Sequence, residues 1–112
     1  MGDEAGRDRF AAFMEHSPAL AWMKDAEGAY VYVNRRFEER FQRPAAEWIG
    51  RTDFDFWPRA TAEQLRDHDL AVLRDDRPVE TREFVPTPDG QERRWWVLTF
   101  PFRDAAGARY VG

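Results

Sequence analysis

The stretch Arg-Trp-Trp-Val-Leu-Thr-Phe-Pro-Phe, residues 94–102, decides the fold. In an extended chain, alternate side chains lie on opposite faces of a β-sheet. One face of this strand then carries four apolar side chains, those of Trp96, Leu98, Phe100 and Phe102. The other face carries Trp95, Val97, Thr99 and Pro101. Both sets are largely apolar, so we expect each face of the sheet to be covered.

The segments around this strand predict one α+β domain. Apolar periodicity predicts helices over 7–16 and 60–74, with shorter helical turns between Asn34 and Pro58. Strands are predicted at 19–24, 29–33, 79–85, 92–102 and from 108 onward. This order is typical of an antiparallel sheet with its helices on one face. We expect residues 1–6 to be disordered and the last strand to be cut short at residue 112.

The composition of the 112-residue chain fits a single globular domain. Its net charge of −4 argues against a nucleic-acid partner, because such proteins usually carry a basic patch that neutralises phosphates. The chain has no cysteine, which excludes disulfides, thiolate metal sites and a cysteine nucleophile. No apolar run approaches the ~20 residues of a membrane span, so no membrane partner is expected and a cytoplasmic location follows by default.

Short segments along the chain carry a resemblance to a known family. Among them are Lys24-Asp25-x-x-Gly28, Tyr32-Val33-Asn34, Trp48-Ile49-Gly50-Arg51-Thr52-Asp53, Asp89-Gly90 and Pro101-Phe102-Arg103-Asp104. In this order and spacing they resemble the PAS fold. The resemblance is greatest to the branch common in bacterial signalling proteins, where the domain precedes a histidine kinase, a diguanylate cyclase or another PAS domain. It covers the chain from about Phe10 to its end.

The resemblance implies a five-stranded antiparallel sheet whose concave face and short helices enclose a small cavity. It also implies that an N-terminal cap helix or a second subunit covers the opposite face. The function implied is that of a non-catalytic sensory module in a two-component or related signalling protein, linked covalently to an effector domain. The alternative is a ligand-free domain that only mediates dimerisation.

Matching the strand at residues 94–102 to flavin-binding relatives directs Trp95, Val97 and Thr99 toward the cavity. The full set of residues that the resemblance implies as ligand-binding is Trp22, Lys24, Tyr30, Tyr32, Phe37, Phe41, Phe54, Trp57, Leu65, Asp69, Val72, Glu83, Val85, Trp95, Val97 and Thr99. The same large rings could instead fill the core and leave no space for a ligand.

The outward set is predicted to form an interface. Trp96, Leu98 and Phe100 would lie under apolar residues of the N-terminal helix, namely Phe10, Phe13 and Met14. Leaving that patch bare would cost about 25 cal/mol per Å2 of apolar surface, or several kcal/mol in total. We therefore expect either docking of the helix within one chain or a homodimer through this helix and the outer face.

Four charged residues fall on faces that are predicted to be inward: Lys24, Asp53, Asp69 and Glu83. An inward charge is expensive unless it is paired. One hypothesis is that Lys24 pairs with one of the carboxylates as a structural brace. The other is that Lys24 binds an anionic ligand such as a carboxylate. The brace is favoured because the carboxylates outnumber the lysine.

The sequence does not identify a cofactor. Some PAS sensors bind haem through a histidine on or after the long helix, and His68 lies there, but its position beside Asp69 favours an orientation toward solvent. The light-driven flavin adduct needs a cysteine and is excluded, whereas non-covalent flavin is not. No metal site is predicted. Asp53 and Asp55 are interpreted as caps of a one-turn helix rather than an acid–base pair.

Overall fold

The computed structural model describes residues 2–112, with the side chains of residues 4–91 and 93–112. The helices are α1 (Gly2–His16), α2 (Arg35–Phe41), α3 (Ala45–Trp48) and α4 (Arg59–Asp75), with a one-turn 3-10 helix at Asp53–Asp55. The strands are β1 (Trp22–Asp25), β2 (Tyr30–Val33), β3 (Val79–Pro86), β4 (Glu92–Thr99), β5 (Pro101–Arg103) and β6 (Arg109–Val111). The predicted α+β class is confirmed.

The strands form two antiparallel sheets in place of one five-stranded sheet. The first has the order β2-β1-β6-β5, and the second pairs β3 with β4. The division falls at Phe100, between β4 and β5, within the run that was predicted as one strand. Before Phe100 the run pairs with β3, and after it the run pairs with β6. One continuous segment therefore holds the two sheets together.

Helix α1 begins earlier than predicted. It includes Gly2 to Gly6, which were expected to be disordered, while Met1 lies outside the described residues. Its C-terminal end is held by the buried amide of Asn34, whose Nδ2 donates to the carbonyls of Met14 and Ala19 at 3.0 and 2.9 Å. The same side chain caps α2, where its Oδ1 accepts from the backbone N–H of Phe37 at 3.1 Å. One residue thus fixes the entry to β1 and the start of α2.

The hairpin of β1 and β2 contains a bulge that the sequence did not reveal. Lys24 lies opposite Tyr30 and Met23 lies opposite Tyr32, so Val31 is an extra residue in β2. The turn itself is as predicted, with Gly28 at φ +91° and the Asp25 carboxylate accepting from the backbone of Ala29 at 2.9 Å. The bulge reverses the face of every residue after Val31.

The main core lies between the inner face of the strands and the short helices. Its centre is Trp48, whose exposure is 0% and whose ring packs edge-on against Tyr30 and Phe37, with centroids 5.2 and 4.8 Å apart. A second, smaller core joins α4 to β6 through Val72, Leu73 and Val111. The helices are therefore fixed to the sheet at two separate places.

The outer face of β4 stays open to solvent, which corrects the predicted docking of the N-terminal helix. Trp96 is 69% exposed and Leu98 is 60% exposed, and Phe100 is also exposed. Helix α1 packs against α2 instead, and its Phe10 and Phe13 are exposed as well. Met14, at the anchored end of α1, is half-buried. The two apolar surfaces that were expected to cover each other are both bare in the single chain.

Candidate functional site

A cavity of about 310 Å3 lies between the inner sheet face and the helices. This volume is within the range of small-molecule sites in proteins. Twelve of the predicted residues line it: Trp22, Lys24, Tyr30, Phe37, Phe41, Trp57, Leu65, Asp69, Glu83, Val85, Trp95 and Val97. The aromatic side chains that pack the main core therefore also form the walls of an adjoining space.

Two of the predicted cavity residues point elsewhere because of local backbone geometry. Tyr32 pairs with Met23 across the bulge, which places it on the face opposite Tyr30. Strict alternation had put both tyrosines inside. Phe54 is 50% exposed because the adjacent Asp53 takes the inward position of the 3-10 helix.

Val72 and Thr99 are buried but do not line the cavity. Val72 belongs to the second core, on the part of α4 that packs against β6. Thr99 lies at the end of β4, opposite Val79, a residue that packs against that same core. Both were placed on the correct face of their element but beyond the end of the cavity.

A buried charge network forms one wall. Lys24 Nζ donates to Asp53 Oδ2 at 2.6 Å and to Asp69 Oδ2 at 2.9 Å, and all three side chains are buried. The other oxygen of Asp53 accepts from the hydroxyl of Tyr30 at 2.6 Å and from the indole N–H of Trp57 at 3.2 Å. The network joins β1, β2, the 3-10 helix and α4; the brace hypothesis paired Lys24 with one carboxylate, and the structure pairs it with two. The charge of Lys24 is therefore neutralised by carboxylates of the protein itself.

Burial and pairing act in opposite directions on the charges of this network. Burial lowers the pKa of Lys24, but the Asp53 and Asp69 carboxylates raise it by more, so the net pKa lies above its ordinary value. Burial raises the pKa of Asp69, and Lys24 offsets only part of that rise. Burial, together with the Asp53 carboxylate, holds the pKa of the Tyr30 hydroxyl well above its usual range. Lys24 is charged and Tyr30 is neutral at physiological pH.

The third candidate carboxylate, Glu83, has different partners. Its Oε1 lies 3.3 Å from His68 Nδ1 and accepts from the Thr81 hydroxyl at 3.2 Å. The His68 side chain is only 30% exposed and is directed at Glu83, which corrects the expectation that it faces solvent. Glu83 is buried at the cavity wall, and His68 is not part of the lining.

Sequence reasoning missed the residues where the chain enters β1. Ala19 and Leu20 line the cavity, and so does Trp96, although it was assigned only to the outer face. Ala19 and Leu20 fell within the strand predicted at 19–24 but were not assigned to the cavity; in the structure they precede β1 and are placed by the hydrogen bonds of Asn34 to Ala19 and Ala21. The one available signal for their position was Asn34, a polar residue directly after the apolar strand β2.

Comparison with known families agrees with this architecture. A model of the PAS fold family matches residues 14–112. The chain belongs to the PAS family. As a PAS domain it is a sensory signalling module. None of the helices within residues 2–112 combines the length and the apolar character that a membrane span needs. The described side chains include no group of three or more histidine, aspartate or glutamate residues that could hold a metal ion.

Relatives of this PAS domain include parts of larger signalling proteins. The methanogenesis regulatory histidine kinase FilI of Methanothrix harundinacea is 29% identical over 99 residues, which are 88% of this chain and 11% of that protein. The chain spans about a tenth of the length of the curated relatives it matches.

Solved structures share the fold. The PAS domain of an HTR-like protein from Haloarcula marismortui has a TM-score of 0.77 at 24% identity, covering 96% of this chain and 88% of that one. A structure of VqmA bound to DPO, a protein of Vibrio cholerae, has a TM-score of 0.78 at 26% identity. That match covers 92% of this chain and 55% of VqmA.

Proposed function

We propose that this PAS domain senses a small molecule in the cavity and passes the signal to an effector domain of a larger cytoplasmic signalling protein. The observation that carries this proposal is the cavity itself. Rings such as Trp22, Phe37 and Trp95 surround about 310 Å3, and buried polar groups converge on one side. An apolar pocket with a few convergent polar groups is the usual form of a small-molecule site. The related VqmA structure contains DPO, which supports binding in a fold of this kind.

The domain is proposed to be non-catalytic. The one lysine at the cavity wall, Lys24, is paired with both Asp53 and Asp69. General acid–base chemistry needs a group that can exchange a proton with a bound reactant. A lysine whose pKa is raised by two carboxylates is poorly suited to that role. Any enzymatic activity would belong to the effector, with a histidine kinase or a diguanylate cyclase as the proposed types.

Native mass spectrometry of the purified domain tests the proposal. We expect a small-molecule adduct that is lost on denaturation, or a rise in Tm with members of a small-molecule library. The variant Val97→Phe should abolish both effects, because Val97 lines the cavity and the larger ring would occupy it. Leu98→Phe is the matched control, since Leu98 is on the exposed outer face. No adduct and no Tm shift with any compound would refute the proposal.

A homodimer is the second candidate function, and the bare outer face favours it. Trp96, Leu98 and Phe100 expose contiguous apolar surface, and α1 presents Phe10 and Phe13 beside its anchored end. Such patches on a small domain mark interaction sites. The Vibrio cholerae VqmA structures include a dimer, which supports pairing in a related protein. The same native mass spectra give the number of subunits.

A further inference from the structure

The polar chemistry of the cavity wall favours one class of ligand. The wall contains one cationic side chain, Lys24, whose Nζ donates to two carboxylates and lies 5.1 Å from the centre of the Tyr30 ring. Little capacity remains for an anionic ligand. The indole N–H groups of Trp22 and Trp95 are buried without a hydrogen-bond partner and have almost no accessible surface, so a ligand would reach them only after their neighbours moved. The wall is therefore poor in available hydrogen-bond donors.

The wall is rich in acceptors. Asp69 and Glu83 both line the cavity, and each is more than nine-tenths buried. Asp69 uses Oδ2 for Lys24, and Glu83 uses Oε1 for His68 and Thr81. Among the described residues, Asp69 Oδ1 and Glu83 Oε2 accept no hydrogen bond, and neither is among the covered polar atoms. Two carboxylate oxygens of cavity-lining residues are thus left without a protein donor.

The charges around the cavity add to this bias. Two carboxylates, Asp69 and Glu83, line the cavity beside one lysine, and Asp53 already takes up part of the charge of that lysine. A buried carboxylate without a full set of partners is costly, and an incoming ammonium would supply both charge and hydrogen bonds. The aromatic walls add a surface that also attracts cations.

We infer that the cavity takes a small aromatic or cyclic amine, with its ammonium group at Asp69 and Glu83 and its ring against the aromatic wall. The inference rests on the proposed sensing function and replaces the less favoured hypothesis, in which Lys24 binds an anionic ligand. Lys24 then has a positioning role, because it holds Asp69 in place without contacting the ligand.

Three probes of similar size test the charge preference. Phenethylamine, 2-phenylethanol and 3-phenylpropionate share a phenylethyl body and differ in the charge of the head group. Binding to the wild-type domain is measured by calorimetry at pH 7.5. We expect phenethylamine to bind at least ~10-fold more tightly than the alcohol, because hydrogen bonds to charged groups are the stronger ones. We expect no binding of the carboxylate.

Glu83→Gln keeps the shape of the wall and removes one charge, so it should reduce the preference for the amine over the alcohol to a few-fold. Glu63→Gln is the matched control, because Glu63 is on the exposed side of α4 and pairs only with Arg59. Equal binding of the amine and the alcohol, or tighter binding of the carboxylate, would overturn the amine assignment while leaving the cavity a ligand site. If none of the three probes binds, the amine assignment fails, and the absence of any native adduct would remove the sensing function too.

Discussion

The two faces of the β3–β4 sheet are similar in apolar content but differ in solvent exposure. The inner face, with Trp95 and Val97, is covered by the short helices and encloses the cavity. The outer face, with Trp96 and Leu98, is bare. The inner face also holds buried charges, while the outer face places Arg82 over the Trp96 ring at 4.4 Å. Apolar sequence alone therefore does not show which face is covered by the same chain.

The largest expected effect lies in the charge network of the inner face. Asp53 and Asp69 lie 29 and 45 residues from Lys24 in sequence but contact it in space. Lys24→Met removes the ammonium and leaves these two buried carboxylates without their cationic partner. Breaking a buried ion pair by removing one partner typically costs about 3–5 kcal/mol. We expect a loss of that size in the free energy of urea unfolding.

Arg59→Met is the control for this variant, because Arg59 pairs with Glu63 on the exposed surface and should leave unfolding almost unchanged. Adding Asp53→Asn and Asp69→Asn to Lys24→Met should restore part of the loss, since no buried charge is then left alone. Equal stability of Lys24→Met and the wild type would show that the network does not brace the fold.

The tandem tryptophans give the second test. Trp95 is half-buried, and its ring centre lies 6.2 Å from that of Phe41. Trp95→Ala should therefore lower the free energy of unfolding by about 2 kcal/mol, less than the ~3–5 kcal/mol expected for a fully buried tryptophan. Trp96→Ala should change the stability of the monomer by no more than about 0.5 kcal/mol. The measurement is chemical unfolding at a protein concentration at which ultracentrifugation shows a monomer.

At higher concentration, Trp96→Ala should weaken self-association and Trp95→Ala should not. This outcome follows if the outer face is the dimer interface, since only Trp96 would be buried on pairing. A wild-type protein that stays monomeric at millimolar concentration would argue against the homodimer. Equal destabilisation by the two variants in the monomer would contradict the assignment of the faces.

The smallest effect concerns alkaline pH. The pKa of Tyr30 is raised well above its ordinary value of 10.0, so above that pH the unfolded chain releases a proton that the folded chain keeps. Stability from this group is complete below pH 10.0 and falls as the pH rises. Lys24 acts in the same direction above its ordinary value of 10.5.

Tyr30→Phe should lower stability at pH 7 by about 1 kcal/mol through the lost hydrogen bond to Asp53. It should also make the decline between pH 10 and 11 shallower, by at most about 1.4 kcal/mol per pH unit. Tyr110→Phe, which alters the bond of Tyr110 to Asp104, is the comparison. An unchanged slope in Tyr30→Phe would exclude Tyr30 as a source of the decline.

Local rules predicted most of the fold and failed where contacts distant in sequence decide. The turn at Gly28, the cap at Asn34 and the inward face of Trp95 follow from residue type and alternation. The face of Tyr32 did not, because one extra residue in β2 reverses the alternation and no sequence pattern marks a bulge at Val31.

The charge network was predicted only in outline for the same reason. Inward positions identified Lys24 and its candidate partners, but the choice of Asp53 and Asp69 over Glu83 depends on how the 3-10 helix and α4 pack together. The alternation of side chains also could not predict that the outer face is uncovered, because it assigns residues to a face and does not show what packs on that face.

The continuous run from β4 into β5 connects the cavity wall to β6, the last strand, because β4 contributes to the wall and β5 pairs with β6. Trp95 and Val97 line the cavity, and three residues after Val97 the backbone of Phe100 exchanges hydrogen bonds of 2.9 and 3.0 Å with Gly112. A compound that pushed β4 outward would tilt this run about Phe100 and displace β6. Occupancy would then be transmitted to β6 and, through the packing of Val111 on Val72 and Leu73, to α4.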